Sequence, residues 1–320
     1  MQRSASAGGL GSSSSVERAI AKSGRTGGFA SARPPPEPAL QPEPGAPQPG
    51  PASPQPELAP ARPEPAAPRL EIDSARLARA GIFTPDSTLN RTTEEFRLIK
   101  RAVLERAAKA RADGVANAHL VMVTSTREGE GKTFVSLNLA FGLAAEQDRA
   151  VLLIDADPAK SSIARYLRFE VDYGLTDLLR EGGPNLADAI IPTSIRGLSI
   201  LPSGQPDHLE AELFASDRMG ALLQAFCRAS PDSIVILDAP PVLATSEPSS
   251  LARHVDQTVL VIEADRTSRA AITEALNLIA ICPHIGLVLN KARFRFGAVR
   301  FGAYYKPYCR RGKRYPVNRS

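Results

Sequence analysis

An α/β fold, with a mostly parallel sheet covered by helices on both faces, is predicted by three observations. Short β-branched apolar runs recur along the chain, helical stretches separate most of them, and the polar motifs sit at the carboxyl ends of the runs. Ligands of such sheets bind beyond those ends.

The fold is expected to occupy residues 69–291. Residues 34–68 hold 15 of the 28 prolines, and residues 1–33 are rich in Ser, Gly and Ala. Segments of that composition bury too little apolar surface to offset chain entropy, so residues 1–68 are expected to be a disordered, partly polyproline II extension. A helix is predicted over 72–113, with apolar Phe96, Ile99, Val103 and Leu104 at helical spacing. Pro85 marks an upstream boundary, and Thr92 or Thr93 is the expected cap. Strands are expected at 119–125, 150–157, 198–204, 233–241, 258–265 and 285–291. Helices are expected from Lys132 to about Gln147, over 217–229 and over 269–281.

No apolar run reaches the ~18 residues of a spanning helix, and the N-terminus lacks the apolar core of a secretory signal. Cys227, Cys282 and Cys309 have no metal-ligand spacing and read as reduced thiols. A cytoplasmic location is the resulting expectation. The net charge of +5 is uneven, because residues 292–320 hold nine Lys or Arg and no acid, which leaves −4 for the remainder. Four of the six tyrosines, Tyr304, Tyr305, Tyr308 and Tyr315, lie in the last 17 residues of this tail.

The window Thr126-Arg127-Glu128-Gly129-Glu130-Gly131-Lys132-Thr133 lies between a predicted strand and a predicted helix and ends as a Walker A loop does. It predicts a P-loop NTPase, with Thr126 where the simple pattern has Gly. Backbone amides of such a loop surround phosphates, Lys132 bridges their oxygens, and the Thr133 hydroxyl ligates Mg²⁺. Asp155 and Asp157 close the next strand run two residues apart, a spacing that sends strand side chains the same way. Two such carboxylates suit a magnesium ion, or one metal ligand beside one proton acceptor. Asp238 closes a third run, in the position of a Walker B aspartate. Any one of these aspartates alone also reads as a cap or turn former. The basic, tyrosine-bearing tail fits a kinase substrate and a nucleic-acid tail equally by composition; the aspartate motifs favour the kinase.

The order of "GEGKT", "LLIDAD" and "ILDAPP", with "LPSGQP" and "ELFAS" between, resembles the bacterial tyrosine kinases over about residues 70–320. The stretch "IDSARLARAGIFTPD…EEFRLIKR" is similar in particular to stand-alone autokinases encoded with exosortase-linked exopolysaccharide genes. The resemblance implies a protein-tyrosine autokinase using ATP and Mg²⁺ and regulating exopolysaccharide biosynthesis or export. In it Gly129, Glu130, Gly131, Lys132, Thr133 and Phe134 bind nucleotide and Asn290 meets the adenine. Asp155 is the base, and Asp157 and Asp238 organise the metal with Thr133. The tail tyrosines are the acceptors, phosphorylated in trans. Glu94, Arg97 and Lys100 share one helical face, which by spacing alone is a solvated charged face; the resemblance makes it the contact that closes a ring of subunits. It further implies a separate membrane co-polymerase as activator, recruitment to the inner face of the membrane, a tyrosine phosphatase partner, and no nucleic acid. Two departures stand out: Arg127-Glu128 in place of proline and an apolar residue, and Pro158-Ala159-Lys160 where many relatives carry an arginine. The competing reading is a partitioning-type ATPase switch that binds membrane or nucleic acid through its basic tail.

Overall fold

The structure is a computed structural model that describes residues 69–84, 91–146, 149–230 and 232–292. The expected extension and the four tail tyrosines lie outside the described residues. Helices α1 (Ser74–Arg79) and α2 (Arg91–Ala112) precede β1 (Leu120–Ser125), α3 (Lys132–Ala144) and β2 (Val151–Asp155). Short helices α4 (Ser162–Leu167), α5 (Leu175–Leu179) and α6 (Leu186–Ala189) lead to β3 (Ile191–Pro192) and β4 (Leu198–Leu201). The remainder runs α7 (Glu210–Ala215), α8 (Asp217–Ala229), β5 (Ile234–Asp238), α9 (Glu247–Ala252), β6 (Gln257–Glu263), α10 (Arg269–Leu278) and β7 (His284–Asn290).

The seven strands form one sheet in the order β3-β4-β2-β5-β1-β6-β7. Every pairing is parallel except that of β3 with β4. The central strands β1, β2 and β5 are buried at every residue, which is why they read as continuous apolar runs without alternation. Their period of two still sorts the core. Val121 and Val123 join the cluster built with α2 and α3, whereas Leu120 and Met122 join the cluster with α8 and α9 on the other face.

The long helix expected over 72–113 is two helices. The first ends at Ala80, and Gly81 at φ +78° turns the chain away. Gly81 carries no side chain against Phe134, whose ring a Cβ there would meet at 3.5 Å. Asn138, a polar residue inside the buried α3, holds the following stretch by accepting from the Phe83 N–H (3.0 Å) and donating to the Phe134 carbonyl (2.9 Å). Phe83, Phe96 and Phe134 then stack at centroid distances of 5.8 and 5.9 Å, joining α2 to α3. Helix α3 is buried on nearly every side because the sheet covers one face and α2 another.

Helix α2 is also tied to β6 by charge. Arg106 donates to both oxygens of Asp256 (2.9 and 2.8 Å), and Asp256 is 1% exposed. Removing the guanidinium strands a buried carboxylate. Arg106→Met is therefore expected to lower unfolding stability by about 2–3 kcal/mol in urea titration. Arg101→Met, which breaks an exposed pair with Glu105, should change it by less than ~0.5 kcal/mol.

Candidate nucleotide and phosphotransfer site

The loop between β1 and α3 is shaped by its own side chains. Ser125 Oγ donates to the Arg127 carbonyl (2.8 Å), and the Arg127 N–H donates to Glu130 Oε2 (2.9 Å). Gly129 and Gly131 take φ +82° and +102°, left-handed conformations that only glycine adopts without strain. A Cβ on Gly131 would lie 2.2 Å from Asn290 Nδ2. A loop with two left-handed glycines that runs into the start of α3 is the backbone form that gathers N–H groups into a concavity for an anion.

Lys132 projects from the first turn of α3 into a buried cluster of carboxylates. Its Nζ lies 2.9 Å from Asp157 Oδ2 and 3.6 Å from Asp238 Oδ2. Asp238 accepts from the Thr133 hydroxyl (2.6 Å) and the Ser136 hydroxyl (3.0 Å). Asp155 and Asp238 are register partners at the ends of adjacent parallel strands, so their carboxyl groups are held side by side. Asp155 accepts the backbone N–H groups of Asp157 (3.1 Å) and Ile163 (3.0 Å). The strand ends at Asp155, so strand alternation does not place Asp157; the bonds from the following loop and the Lys132 pair do.

Burial, and then the charge of Asp238, pushes the Asp155 carboxyl up to about 7, against the pull of its two amide donors and Lys132. Burial also raises Asp238, opposed by Lys132, Thr133 and Ser136. For Lys132 burial works to lower the pKa, but Asp238 and Asp157 outweigh it and hold the ammonium charged. The residues fit Mg²⁺ with a nucleotide phosphate. Three carboxyls face one cation, and Asp157 Oδ2, although close to Lys132, is buried without an aligned hydrogen bond. Among the described residues no group of three or more His, Cys, Asp or Glu forms a protein-only metal cage, and magnesium in phosphate sites takes one or two carboxylates with waters and phosphate oxygens.

The other expected site residues fall in separate places. The Phe134 ring packs on Phe96, away from the loop's concavity, leaving only its backbone for a ligand. Asn290 Nδ2 donates to the Glu130 carbonyl (2.8 Å), so its amide buttresses the loop. Glu94 and Arg97 form an exposed pair, with Arg97 half-exposed. Lys100 instead pairs within the chain, 2.9 Å from Glu146 beyond the end of α3. The two departures meet each other, because Lys160 forms an ion pair with Glu128 across the mouth of the site. Arg127 lines an open cleft of about 390 Å³ with Glu128, Leu243, Ala244 and Glu274.

Several contributors were not singled out in the sequence. Ser136 lies one turn beyond Lys132, and a polar residue on an otherwise apolar buried helix was the signal available. Thr267 donates to Glu130 Oε1 (2.5 Å), and Lys291 donates to the Gly129 carbonyl (2.7 Å) and pairs with Glu263 (3.0 Å). No motif marks either residue.

A carboxyl raised in the fold binds a proton that the unfolded chain has released. The contribution of Asp155 is thus complete below its unfolded value of 3.8 and is lost as pH rises through about 7. The ligand-free protein is expected to lose on the order of 2 kcal/mol between pH 5 and 8 from this group. Asp155→Asn should show a correspondingly shallower decline in urea midpoints, and equal slopes for the two proteins would refute the assignment.

Residues 118–285 match the family described as an AAA domain. The tyrosine-protein kinase YwqD of Bacillus subtilis is 34% identical over 172 residues, 53% of this chain and 71% of that protein. The putative tyrosine-protein kinase EpsB of Ralstonia solanacearum is 33% identical over 193 residues, 58% of this chain but only 25% of that longer protein. The crystal structure of the VpsO kinase domain superposes with a TM-score of 0.50 at 33% identity, covering 61% of this chain and 98% of that one. With the P-loop, the paired strand-end aspartates and Asp238 in one buried cluster, the chain belongs to the family of bacterial tyrosine-protein kinases.

Proposed function

We propose that this chain is a Mg-ATP-dependent protein-tyrosine autokinase in which residues 69–291 form the catalytic domain, 1–68 an extension and 292–320 the substrate tail. The observation that carries the reading is the convergence of Lys132, Thr133 and Asp157 on the neighbourhood of Asp238, with Asp155 raised to about 7 beside it. Amides of Gly129, Glu130, Gly131, Lys132, Thr133 and Phe134 bind the phosphates, and Lys132 bridges their oxygens. Thr133, Asp157 and Asp238 hold Mg²⁺, which when bound neutralises charge on the transferring group. A tyrosine oxygen attacks the γ-phosphorus, the bond to the ADP oxygen breaks, and Asp155 accepts the phenolic proton. A carboxyl that titrates near neutrality is suited to that exchange. Asn290 contacts the adenine from its place against the loop.

Tyr304, Tyr305, Tyr308 and Tyr315 are the acceptors. Each phosphate adds about −1.5 to −2 charge, so three or four cancel most of the +9 tail and weaken its hold on acidic surface. The reaction runs in trans within a ring closed through Glu94 and Arg97, with Lys100 joining only if it leaves Glu146. A membrane co-polymerase of exopolysaccharide export activates the kinase at the inner face of the membrane, and a tyrosine phosphatase resets it. Among the described residues no helix is long and apolar enough to cross a membrane.

Phosphosite mapping after incubation with Mg-ATP is expected to find phosphate on the tail tyrosines, and Lys132→Met should lose at least ~100-fold of the label. Equal label in that variant would sink the kinase reading. Mixing Lys132→Met protein with an active protein whose four tail tyrosines are Phe should label the Lys132→Met chain. A Lys132→Met chain that stays unlabelled in the mixture would instead mean reaction in cis.

A further inference from the structure

Strand β7 closes the sheet at one edge, and β6 is its only strand neighbour among the described residues. Leu287 and Leu289 pair in register with Leu260 and Ile262 of β6 and so face the same side. Leu260 and Ile262 are buried with Ala275 and Ile279 from the α10 region, but Leu287 and Leu289 are 52% and 59% exposed. An edge strand with two neighbouring uncovered leucines is a template for another strand. The described residues end at Ala292, two residues beyond β7, and the chain continues Arg-Phe-Arg-Phe-Gly-Ala-Val-Arg-Phe over 293–301. When extended, such a segment puts Phe294 and Phe296 on one face and Arg293 and Arg295 on the other.

We infer that residues 293–299 dock as an antiparallel strand on the free edge of β7 and lay their phenylalanines over Leu287 and Leu289. Lys291 has φ +55°, a conformation found in chain reversals and not within strands. The Asn290 carbonyl accepts from Ala264 beside β6 (2.9 Å), so the backbone groups of Leu287 and Leu289 face the free edge. A four-residue reversal over 290–293 sets Phe294 opposite Leu289, Phe296 opposite Leu287 and Gly297 opposite Gly286. Opposed residues of antiparallel strands share a face, so this register covers both leucines. A reversal one residue longer would put Arg295 opposite Leu289. The tether also gives this segment a high local concentration that a second copy lacks. One consequence rests on the autokinase reading: a strand returning along β7 carries Tyr304 toward the His284 end, about 20 Å from the Asn290 end beside its own P-loop.

The test uses the full chain without nucleotide and compares trypsin cleavage at Arg295 with cleavage at Arg310 and Arg311, alongside hydrogen exchange of the β7 amides that face away from β6, those of Leu287 and Leu289. In the wild type, Arg295 is expected to be cut about tenfold more slowly, with protected β7 amides. Leu287→Glu/Leu289→Glu should abolish both effects, and Phe294→Ser/Phe296→Ser should do the same with β7 itself unaltered. Equal cleavage at both sites in the wild type, or protection that survives the Phe replacements, overturns the inference. Protection that grows with protein concentration overturns it in favour of a second copy on the same edge. Neither readout needs phosphotransfer, so loss of kinase activity and loss of docking are separable results.

Discussion

One buried lysine opposite three carboxyl groups is the constraint on which the rest of this site depends. Parallel pairing puts Asp155 and Asp238 at the same level on adjacent strands, where two full charges in a dry site repel strongly. Lys132, the two hydroxyls on Asp238 and the two amides on Asp155 offset that repulsion. Each of those donors depends on the helix or loop that carries it. The order of strands, the start of α3 and the chain path after β2 are therefore coupled through a handful of polar contacts, and the group that titrates near neutrality is where the proposed proton transfer occurs.

A second layer of contacts stiffens the phosphate loop from outside. Glu130 is nearly fully buried, yet its carboxylate accepts from the Arg127 N–H and from Thr267, which joins the loop to the segment preceding α10. Asn290 and Lys291, at the end of β7, hold the carbonyls of Glu130 and Gly129. Such bonds fix the loop in one shape before a ligand arrives, as preorganised anion binding requires. They also place the root of the tail in direct contact with the loop. The Glu128–Lys160 pair joins the two motifs, so one charged residue from each departure meets the other.

The motifs, strand runs and tail composition were legible in the residues because each rests on local chemistry. Buried parallel strands must be continuously apolar, a phosphate loop needs glycine and lysine at fixed spacing, and carboxylates at strand ends follow from where ligands bind. The split of the first helix was less legible: Gly81 and Pro85 gave signals, but the amphipathic pattern ran past them. Phe134 and Lys100 show the limit more sharply. The family resemblance makes them a nucleotide contact and part of an intersubunit face, and partners far away in sequence, Phe96 and Glu146, take up their side chains.

By itself the amino-acid sequence determined that this chain builds a helix-covered, mostly parallel sheet with a P-loop and three aspartates at or just past strand ends, since periodicity and short motifs are properties of neighbours along the chain. Only the tertiary structure decided that Asp155 and Asp238 share one level, that Ser136 and Thr267 serve the site, and that Asn290 and Lys291 bind the loop. Those outcomes depend on strand order and register, which bring residues as many as 162 positions apart within hydrogen-bonding distance.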